Sequence, residues 1–244
     1  MNVTRYDRIG VGYSKHRRPD RRLASRIEEA LGSARRVLNV GAGTGSYEPE
    51  HRRVLAVEPS VEMIGQRPAA AAPAIRADAT RLPFPDRSFD ATLAILTLHH
   101  WSDRMRGLAE MRRVARDRVV ILTWDPDHEG FWLGQEYFPE ILAIDRPIFP
   151  TLSEIRRAVG PLEVRTLPIP IDCADGFLGA YWGRPEAYLE PSVRAAISTF
   201  ARIDPSDGLA RLRLDLDSGT WDRRYGGLRA RTELDVGYRL VVAS

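Results

Sequence analysis

The stretch that decides the fold runs from Val37 to Tyr47 and reads VLNVGAGTGSY. Its first residues form a short apolar run with β-branched members, which predicts a strand buried on both faces. The run stops at three alternating glycines, Gly41, Gly43 and Gly45. Because glycine lacks a Cβ, this turn can adopt positive φ and let a ligand lie directly on the backbone. The sequence therefore predicts a strand followed by a loop that binds a nucleoside cofactor.

The spacing of the glycines narrows the choice of cofactor. The dinucleotide fingerprint requires a third glycine three residues after Gly43, where this chain has Ser46, and the Gly-Lys-Ser/Thr of a phosphate-binding P-loop is absent. A glycine-rich turn can also be ordinary punctuation after a strand, and that alternative stays open at this point. The loop resembles the first motif of class I S-adenosylmethionine-dependent methyltransferases, in which Gly-x-Gly-x-Gly follows the first strand.

A second apolar run, residues 54–57, predicts a strand that ends at Glu58. A carboxylate at the end of the second strand can accept from both ribose hydroxyls of an adenosine. Because an NAD protein carries the same carboxylate, Glu58 identifies only the adenosine half of the cofactor. Between the glycine loop and this strand, Pro49 limits residues 46–52 to at most about two helical turns. The methyltransferase family usually has a longer helix there.

A third strand, residues 73–77, ends at Asp78, and the segment 82–90, LPFPDRSFD, leads into a fourth apolar strand, 91–96. This order resembles the methyltransferase group that includes the ubiquinone and menaquinone biosynthesis enzymes. The resemblance implies that Asp78 accepts from the exocyclic amine of adenine, with the backbone of Ala79 alongside. The chemistry agrees, since a carboxylate only accepts hydrogen bonds.

The resemblance also implies contacts to the methionine end of the cofactor. In this family an N-terminal Tyr and Arg often close over the cofactor. The matching residues here are Tyr13 with Arg17 or Arg18. The alternative is that these residues form a solvated basic turn with no role in binding. A guanidinium can bind both oxygens of a carboxylate. The family's usual acid at the head of the first motif is replaced by Asn39, which predicts a weaker contact to the cationic end of the methionine. The expected cofactor contacts are Tyr13, Arg18, Asn39, Gly41, Ala42, Gly43, Glu58, Pro59, Asp78, Ala79 and Thr97.

The fourth strand is followed by Thr97-Leu98-His99-His100-Trp101. Amino-methyltransferases that act on DNA bases carry Asn/Asp-Pro-Pro-aromatic at this place, so its absence disfavours a nucleic-acid substrate. His99 and His100 are candidate general bases. Because adjacent strand residues point to opposite faces, at most one of them faces the site if the strand persists. The alternative is a packed histidine that orients the loop.

Strands that alternate with helices predict an α/β fold, a Rossmann-like doubly wound sheet that is mostly parallel. Helices are expected from Asp20 to Gly32, from Ser60 through Ile64, after Ser102-Asp103, and over 152–159, 192–203 and 209–216. Further strands are expected over 119–122, 164–169 and 237–243. The resemblance implies an antiparallel last strand and a helical lid insertion before it. The predicted single methyltransferase domain, 1–244, comprises a cover segment 1–34, a cofactor-binding core 35–125, a helix, sixth strand and substrate lid 126–233, and a closing strand 234–244. The aromatic lid suits a small, planar or apolar acceptor.

Composition disfavours several other classes of protein, including nucleic-acid-binding, disulfide-bonded and membrane-spanning proteins. The net charge of the 244 residues is +3, the two signs are interspersed, and Lys15 is the single lysine, which disfavours a nucleic-acid-binding face. The single cysteine, Cys173, excludes an internal disulfide and a cysteine-rich zinc site, and no metal site is expected. No apolar run approaches the roughly 18 residues of a membrane span and no signal-peptide apolar region is present, so a cytoplasmic protein is expected.

The resulting prediction is S-adenosylmethionine-dependent methyl transfer to an oxygen, nitrogen or carbon of a small-molecule acceptor, with S-adenosylhomocysteine as product. Two alternatives remain open. One is a non-catalytic protein that binds S-adenosylmethionine, and the other, disfavoured by Ser46, is an NAD(P)-dependent oxidoreductase.

Overall fold

A computed structural model of the chain, which describes residues 17–244, has a seven-stranded sheet at its centre. The strands of this sheet are β1 (Arg36–Val40), β2 (Arg53–Val57), β3 (Ala74–Ile75), β4 (Phe89–Ile95), β5 (Ala115–Trp124), β6 (Leu162–Thr166) and β9 (Tyr238–Ala243). Their order is β3-β2-β1-β4-β5-β9-β6. Strand β9 is antiparallel to both β5 and β6, whereas the pairs among β1 to β5 are parallel. The predicted Rossmann-like sheet with an antiparallel last strand is confirmed.

Helices lie on both faces of the sheet and in the long segment before the last strand. The α-helices of the described chain are α1 (Arg21–Leu31), α2 (Val61–Gly65), α3 (Arg104–Val114), α4 (Pro139–Asp145), α5 (Leu152–Val159), α6 (Pro191–Ala195), α7 (Ser206–Asp217) and α8 (Thr220–Tyr225). A separate two-stranded sheet pairs β7 (Ile169–Pro170) with β8 (Glu233–Leu234) in antiparallel fashion.

Each face of the large sheet belongs to its own hydrophobic core. Alternate strand residues such as Val37 and Leu93 pack with α1 and with the segment 126–233. Their neighbours Leu38 and Ala94 pack on the other face with α3 and α5. A parallel sheet covered on both faces leaves its strand ends as the place where a ligand can enter.

Side-chain caps start the helices where the sequence predicts them. Asp20 accepts from the backbone N–H of Arg22 at 2.9 Å, and Ser60 accepts from that of Met63 at 3.2 Å. Asp103 starts α3 in the same way. Such caps satisfy backbone donors that have no partner within the helix, which explains why these helix starts are readable from sequence.

The prediction of a helix is wrong for part of the lid. Residues 192–203 do not form one helix: α6 ends at Ala195, and a separate 3-10 turn covers Phe200–Arg202. Between the two, Thr199 donates its hydroxyl to the buried Asp145 at 2.9 Å. This tertiary contact outweighs the local helical pattern.

The predicted sixth strand, 164–169, is displaced and divided. Strand β6 covers Leu162–Thr166, and Ile169–Pro170 pairs with a different sheet. Pro168 lies between the two pieces, and a proline has no N–H to donate to a strand ladder, so the chain leaves the large sheet there.

Candidate functional site

A cavity of about 530 Å³ lies at the carboxyl ends of β1, β2 and β4. This volume falls in the range of roughly 300–1,000 Å³ that is typical of ligand pockets. The parallel strands bring residues that are far apart in sequence to one edge of the sheet. The predicted contacts that line this cofactor cavity are Asn39, Gly41, Ala42, Gly43, Glu58, Pro59, Asp78, Ala79 and Thr97.

The glycine loop has the backbone geometry expected from its sequence. Gly41, Gly43 and Gly45 have φ values of 71°, 52° and 94°, a region that L side chains rarely adopt. A Cβ on Gly41 would lie 2.2 Å from Oγ1 of Thr97. The backbone N–H of Gly41 donates to the carbonyl of Val57 at 2.8 Å, which fixes the loop against β2.

Glu58 is buried and held in one orientation. Its Oε2 accepts from the backbone N–H of Gly43 at 2.8 Å, and its Oε1 accepts from that of Ser60 at 2.9 Å. A carboxylate oxygen has two lone pairs, so each oxygen can accept a further hydrogen bond from a diol. Glu58 therefore links the glycine loop to the end of β2 and faces the cofactor cavity.

Asp78 also lines the cofactor cavity and is exposed. Its Oδ1 accepts from both the backbone N–H and the hydroxyl of Thr80, at 2.8 and 2.7 Å. This local turn orients the carboxylate without burying it. The arrangement fits a hydrogen-bond acceptor for a ring amine.

The structure places the two candidate arginines differently, and a contact between Arg18 and the cofactor stays a prediction. That side chain is exposed and does not line the cofactor cavity, whereas Arg17 does. Arg17 turns inward because its Nε donates to Oδ1 of Asp175 at 2.5 Å and its Nη2 to Oδ2 at 3.4 Å. Tyr13 lies outside the described residues.

Arg17 belongs to a network that joins the N-terminal segment to the lid. Tyr47 of the glycine loop is buried and donates its hydroxyl to Oδ2 of Asp175 at 3.0 Å. The same hydroxyl accepts from the backbone N–H of Asp20 at 3.2 Å, and Oδ2 of Asp20 accepts from that of Ala174 at 3.0 Å. We call these five residues the clamp.

A second, smaller cavity of about 80 Å³ adjoins the first. Its walls are mostly apolar and aromatic, with the buried Asp145 among them. Both cavities are lined by Arg17, Leu96, His99 and His100. The two cavities therefore meet at these four residues.

The strand that carries the histidines ends earlier than predicted. Strand β4 stops at Ile95, Leu96 has a φ of 48°, and Leu98–His100 form a 3-10 turn. Because the strand does not persist, the alternation argument does not apply, and His99 and His100 both line both cavities. The ring of His99 stacks on Phe149 of the lid with centroids 4.2 Å apart.

Sequence reasoning missed Tyr47, Asp145 and Asp175 as site residues. Tyr47 lies two residues after Gly45, within the glycine-loop stretch, and this position was a usable signal. Asp175 is 158 residues from Arg17, and no local pattern indicates that pairing.

Two negative findings bear on the site. In residues 17–244, no cluster of three or more His, Cys, Asp or Glu side chains is arranged to hold a metal ion. No helix in the same range is both long and apolar enough to span a membrane.

Comparisons with known proteins agree on the class. A family model described as a methyltransferase domain matches residues 38–123. A demethylmenaquinone methyltransferase from Deinococcus radiodurans is 34% identical over 140 residues, which are 50% of this chain and 57% of that protein. A demethylmenaquinone methyltransferase from Mycolicibacterium paratuberculosis is 34% identical over 170 residues, which are 66% of this chain and 73% of that protein. The chain thus spans about half the length of the first of these curated relatives.

A crystal structure from Anabaena variabilis, assigned as a methyltransferase from an antibiotic biosynthesis pathway, has a TM-score of 0.85 and 33% identity. It covers 94% of this chain, and the match extends over 99% of that protein. The sheet order and the glycine loop define a Rossmann-like fold of the class I methyltransferase type. The chain belongs to the family of S-adenosylmethionine-dependent methyltransferases. Its cofactor is S-adenosylmethionine.

Proposed function

We propose that this protein transfers a methyl group from S-adenosylmethionine to an oxygen, nitrogen or carbon atom of a small-molecule acceptor. One observation carries the proposal: a cavity built on the glycine loop and lined by several polar groups meets a mostly apolar cavity built by the lid, and the same four residues line both. Methyl transfer requires a donor and an acceptor held in line within a dry site, and two adjoining cavities provide that arrangement.

The residues of the cofactor cavity fit the parts of this cofactor. Glu58 accepts from the ribose hydroxyls and Asp78 from the adenine amine, while the glycine loop and Asn39 contact the methionine end. The bound cofactor supplies an electrophilic methyl group on a sulfonium. We place the cofactor within the predicted core, residues 35–125.

The lid, within residues 126–233, holds the acceptor in this proposal. Its side chains Phe131, Phe149 and Phe177 provide aromatic walls that exclude water and orient a flat ring. The free volume of about 80 Å³ admits a compact ring or the reactive end of a longer acceptor. Such walls do not suit a phosphate backbone, which supports a small molecule over a nucleic acid. The cytoplasmic location expected from the sequence stays a prediction.

His99 and His100 are the candidate bases where the two cavities meet. A base is needed only if the acceptor atom must lose a proton. We expect replacement of the responsible histidine by alanine to remove one limb of the pH profile of kcat/KM. Unchanged profiles for both His99→Ala and His100→Ala would assign both side chains to packing.

The first test is titration calorimetry of the protein with S-adenosylmethionine and S-adenosylhomocysteine, with NADH as the control. We expect micromolar binding of the first two and no heat from NADH. Binding of NADH alone would instead favour the oxidoreductase.

Turnover then separates an enzyme from a binding protein. Demethylmenaquinone and 2-methyl-6-phytyl-1,4-hydroquinone, which appear in the names of curated relatives, are the first acceptors to screen, each in its reduced form. Formation of S-adenosylhomocysteine that depends on an acceptor supports the proposal. Tight cofactor binding without turnover across a broad acceptor panel would favour the non-catalytic alternative.

A further inference from the structure

The segment after the glycine loop replaces a helix with a buried ion pair. In the described chain, residues 46–52 form turns with no helix, and Tyr47 has a φ of 61°. Glu48 turns inward and meets Arg67, whose Nη2 lies 2.7 and 2.8 Å from its two carboxylate oxygens. The side chains of this pair are only 8% and 6% exposed. A buried pair is tolerated only when further hydrogen bonds satisfy its remaining polar atoms.

Those further hydrogen bonds are made to the glycine loop and its surroundings. Nη1 of Arg67 donates to the carbonyl of Gly43 at 3.0 Å, and Nη2 donates to that of Ala72 at 2.8 Å. The backbone N–H of Ala72 donates to Oε2 of Glu48 at 2.9 Å. The pair therefore holds the carbonyl of Gly43, while Glu58 holds the N–H of the same residue.

Glu48 also determines which way the amide of Asn39 points. Nδ2 of Asn39 donates to Oε1 of Glu48 at 3.2 Å. A carboxylate only accepts hydrogen bonds, so it selects the amide orientation in which the NH₂ group faces Glu48 and the oxygen faces away. The carboxylate thus fixes Oδ1 of Asn39 as an acceptor for something else.

That acceptor is not used within the described part of the chain. Oδ1 of Asn39 is buried and has no hydrogen-bond partner among residues 17–244, although Asn39 is only 1% exposed. Buried polar atoms in folded proteins are nearly always paired, so an unused acceptor at the wall of a ligand cavity indicates a donor on the ligand. Asn39 lines the cofactor cavity at the head of the glycine loop.

We propose that Glu48 is a positioning residue, which holds the amide oxygen of Asn39 toward the α-ammonium group of the cofactor. Because Arg67 neutralises Glu48, the ammonium meets an oriented neutral acceptor rather than a carboxylate. The inference rests on the proposed function only for the identity of the cofactor.

An unexpected consequence is that restoring the family's usual acid at position 39 weakens binding. In Asn39→Asp, a new carboxylate faces Glu48 and the two repel. In the double variant Asn39→Asp/Glu48→Gln, the glutamine can donate a hydrogen bond to the new carboxylate. The second carboxylate oxygen then serves as a hydrogen-bond acceptor in the cavity, and one negative charge remains beside Arg67. Glu48→Gln alone releases the amide of Asn39 to turn.

The experiment is calorimetric titration of the parent and the three variants with S-adenosylmethionine, S-adenosylhomocysteine and 5′-methylthioadenosine. The last compound keeps the adenosine half but lacks the amino-acid group. We expect each single variant to lose about tenfold in affinity for the first two ligands, the effect of one hydrogen bond to a charged group. Affinity for methylthioadenosine should stay within about twofold of the parent, and the double variant should recover most of the loss.

Several results would overturn the role of Glu48. Equal losses for all three ligands would show that the pair only supports the fold, and circular dichroism of each variant checks that directly. Tighter binding of S-adenosylmethionine by Asn39→Asp alone would show that Glu48 does not control position 39. If the parent binds S-adenosylmethionine but transfers no methyl group, the result counts against the proposed function and leaves the role of Glu48 in place.

Discussion

Glu58 and Asp78 are both expected to bind the adenosine half of the cofactor, but they are held differently. Glu58 is buried and also accepts from the backbone N–H groups of Gly43 and Ser60. Asp78 is exposed, and among the described residues its carboxylate accepts hydrogen bonds only from Thr80. Loss of Glu58 therefore disturbs the loop as well as the ligand contact.

We expect Glu58→Ala to weaken S-adenosylmethionine binding by about 100-fold or more and to lower the free energy of unfolding by about 1–3 kcal/mol, since one buried and one partly buried backbone donor lose their partner. Asp78→Ala should weaken binding by about tenfold with an unchanged unfolding free energy. Calorimetry and urea unfolding measure the two effects. The exposed Glu163 of β6 supplies a control, Glu163→Ala, in which both should match the parent. Unchanged affinity in both site variants would disprove the assignment of the adenosine site.

Gly41 and Gly160 provide a matched pair for the glycine loop. Both have positive φ, 71° and 96°, but a Cβ on Gly41 would clash with Thr97, whereas one on Gly160 meets nothing within 4 Å. We expect Gly160→Ala to cost about 1–2 kcal/mol of stability from backbone strain alone and to bind the cofactor normally. Gly41→Ala should lose cofactor binding as well. If the two variants bind S-adenosylmethionine equally, the close approach at Gly41 is not needed.

At the scale of an element, the start of α1 is sensitive to acid. Hydrogen bonds from the Arg22 side chain lower the pKa of Asp20 to about 2, against the resistance of burial. A carboxyl whose pKa is lower in the folded state stabilises the protein above its unfolded pKa of about 3.9, and this stabilisation is lost as the pH falls toward 2. Asparagine also caps helices well, so Asp20→Asn removes the charge and keeps the cap.

We therefore expect the parent to exceed Asp20→Asn in unfolding free energy by a constant amount between pH 5 and 8, and the difference to shrink below about pH 4. Urea unfolding at a series of pH values measures it. A difference that keeps its full size down to pH 2 would mean that the carboxylate charge of Asp20 contributes nothing.

The reactivity of Cys173 reports on opening of the clamp. In the sequence, Cys173 lies between strand β7 and the clamp residues Ala174 and Asp175. Burial raises the pKa of the Cys173 thiol to about 12, and the thiolate is the reactive form, so the folded protein should react slowly with a thiol reagent at pH 8. Asp175→Asn weakens the contacts to Arg17 and Tyr47, and we expect about tenfold faster labelling. Saturating S-adenosylmethionine should slow the labelling of the parent. Equal rates in the variant and the parent would show that the clamp does not hold the lid closed.

The elements that sequence predicted well are those determined by neighbouring residues. The glycine loop, the acid after β2 and the caps at Asp20, Ser60 and Asp103 depend on local backbone geometry, which residue type controls directly. The contact between Arg17 and Asp175 could not be predicted, because it joins segments 158 residues apart and depends on how the lid folds. The split helix near Thr199 was mispredicted for the same reason.

At the scale of the whole molecule, cofactor binding should appear as thermal stabilisation. A ligand that binds only the folded state at 100 times its Kd adds about 2.7 kcal/mol. For a chain of this size that corresponds to a rise in Tm of roughly 5–10 °C. We expect S-adenosylmethionine and S-adenosylhomocysteine to produce this shift in differential scanning fluorimetry, and NADH to produce none. A shift with NADH of equal size would contradict the cofactor assignment.

The two cavities divide the sequence almost cleanly. In the described chain, the cofactor cavity takes its walls from Arg17 and residues 39–102, and the smaller cavity takes most of its walls from residues 124–238. Among residues 17–244, only Arg17, Leu96, His99 and His100 line both cavities. A relative could therefore acquire a new substrate by exchanging the segment after Trp124, while the residues that line the cofactor cavity stay unchanged. Chimeric proteins with a junction near Trp124 would be the natural way to graft one specificity onto another, with those four shared residues as the places where donor and recipient must match.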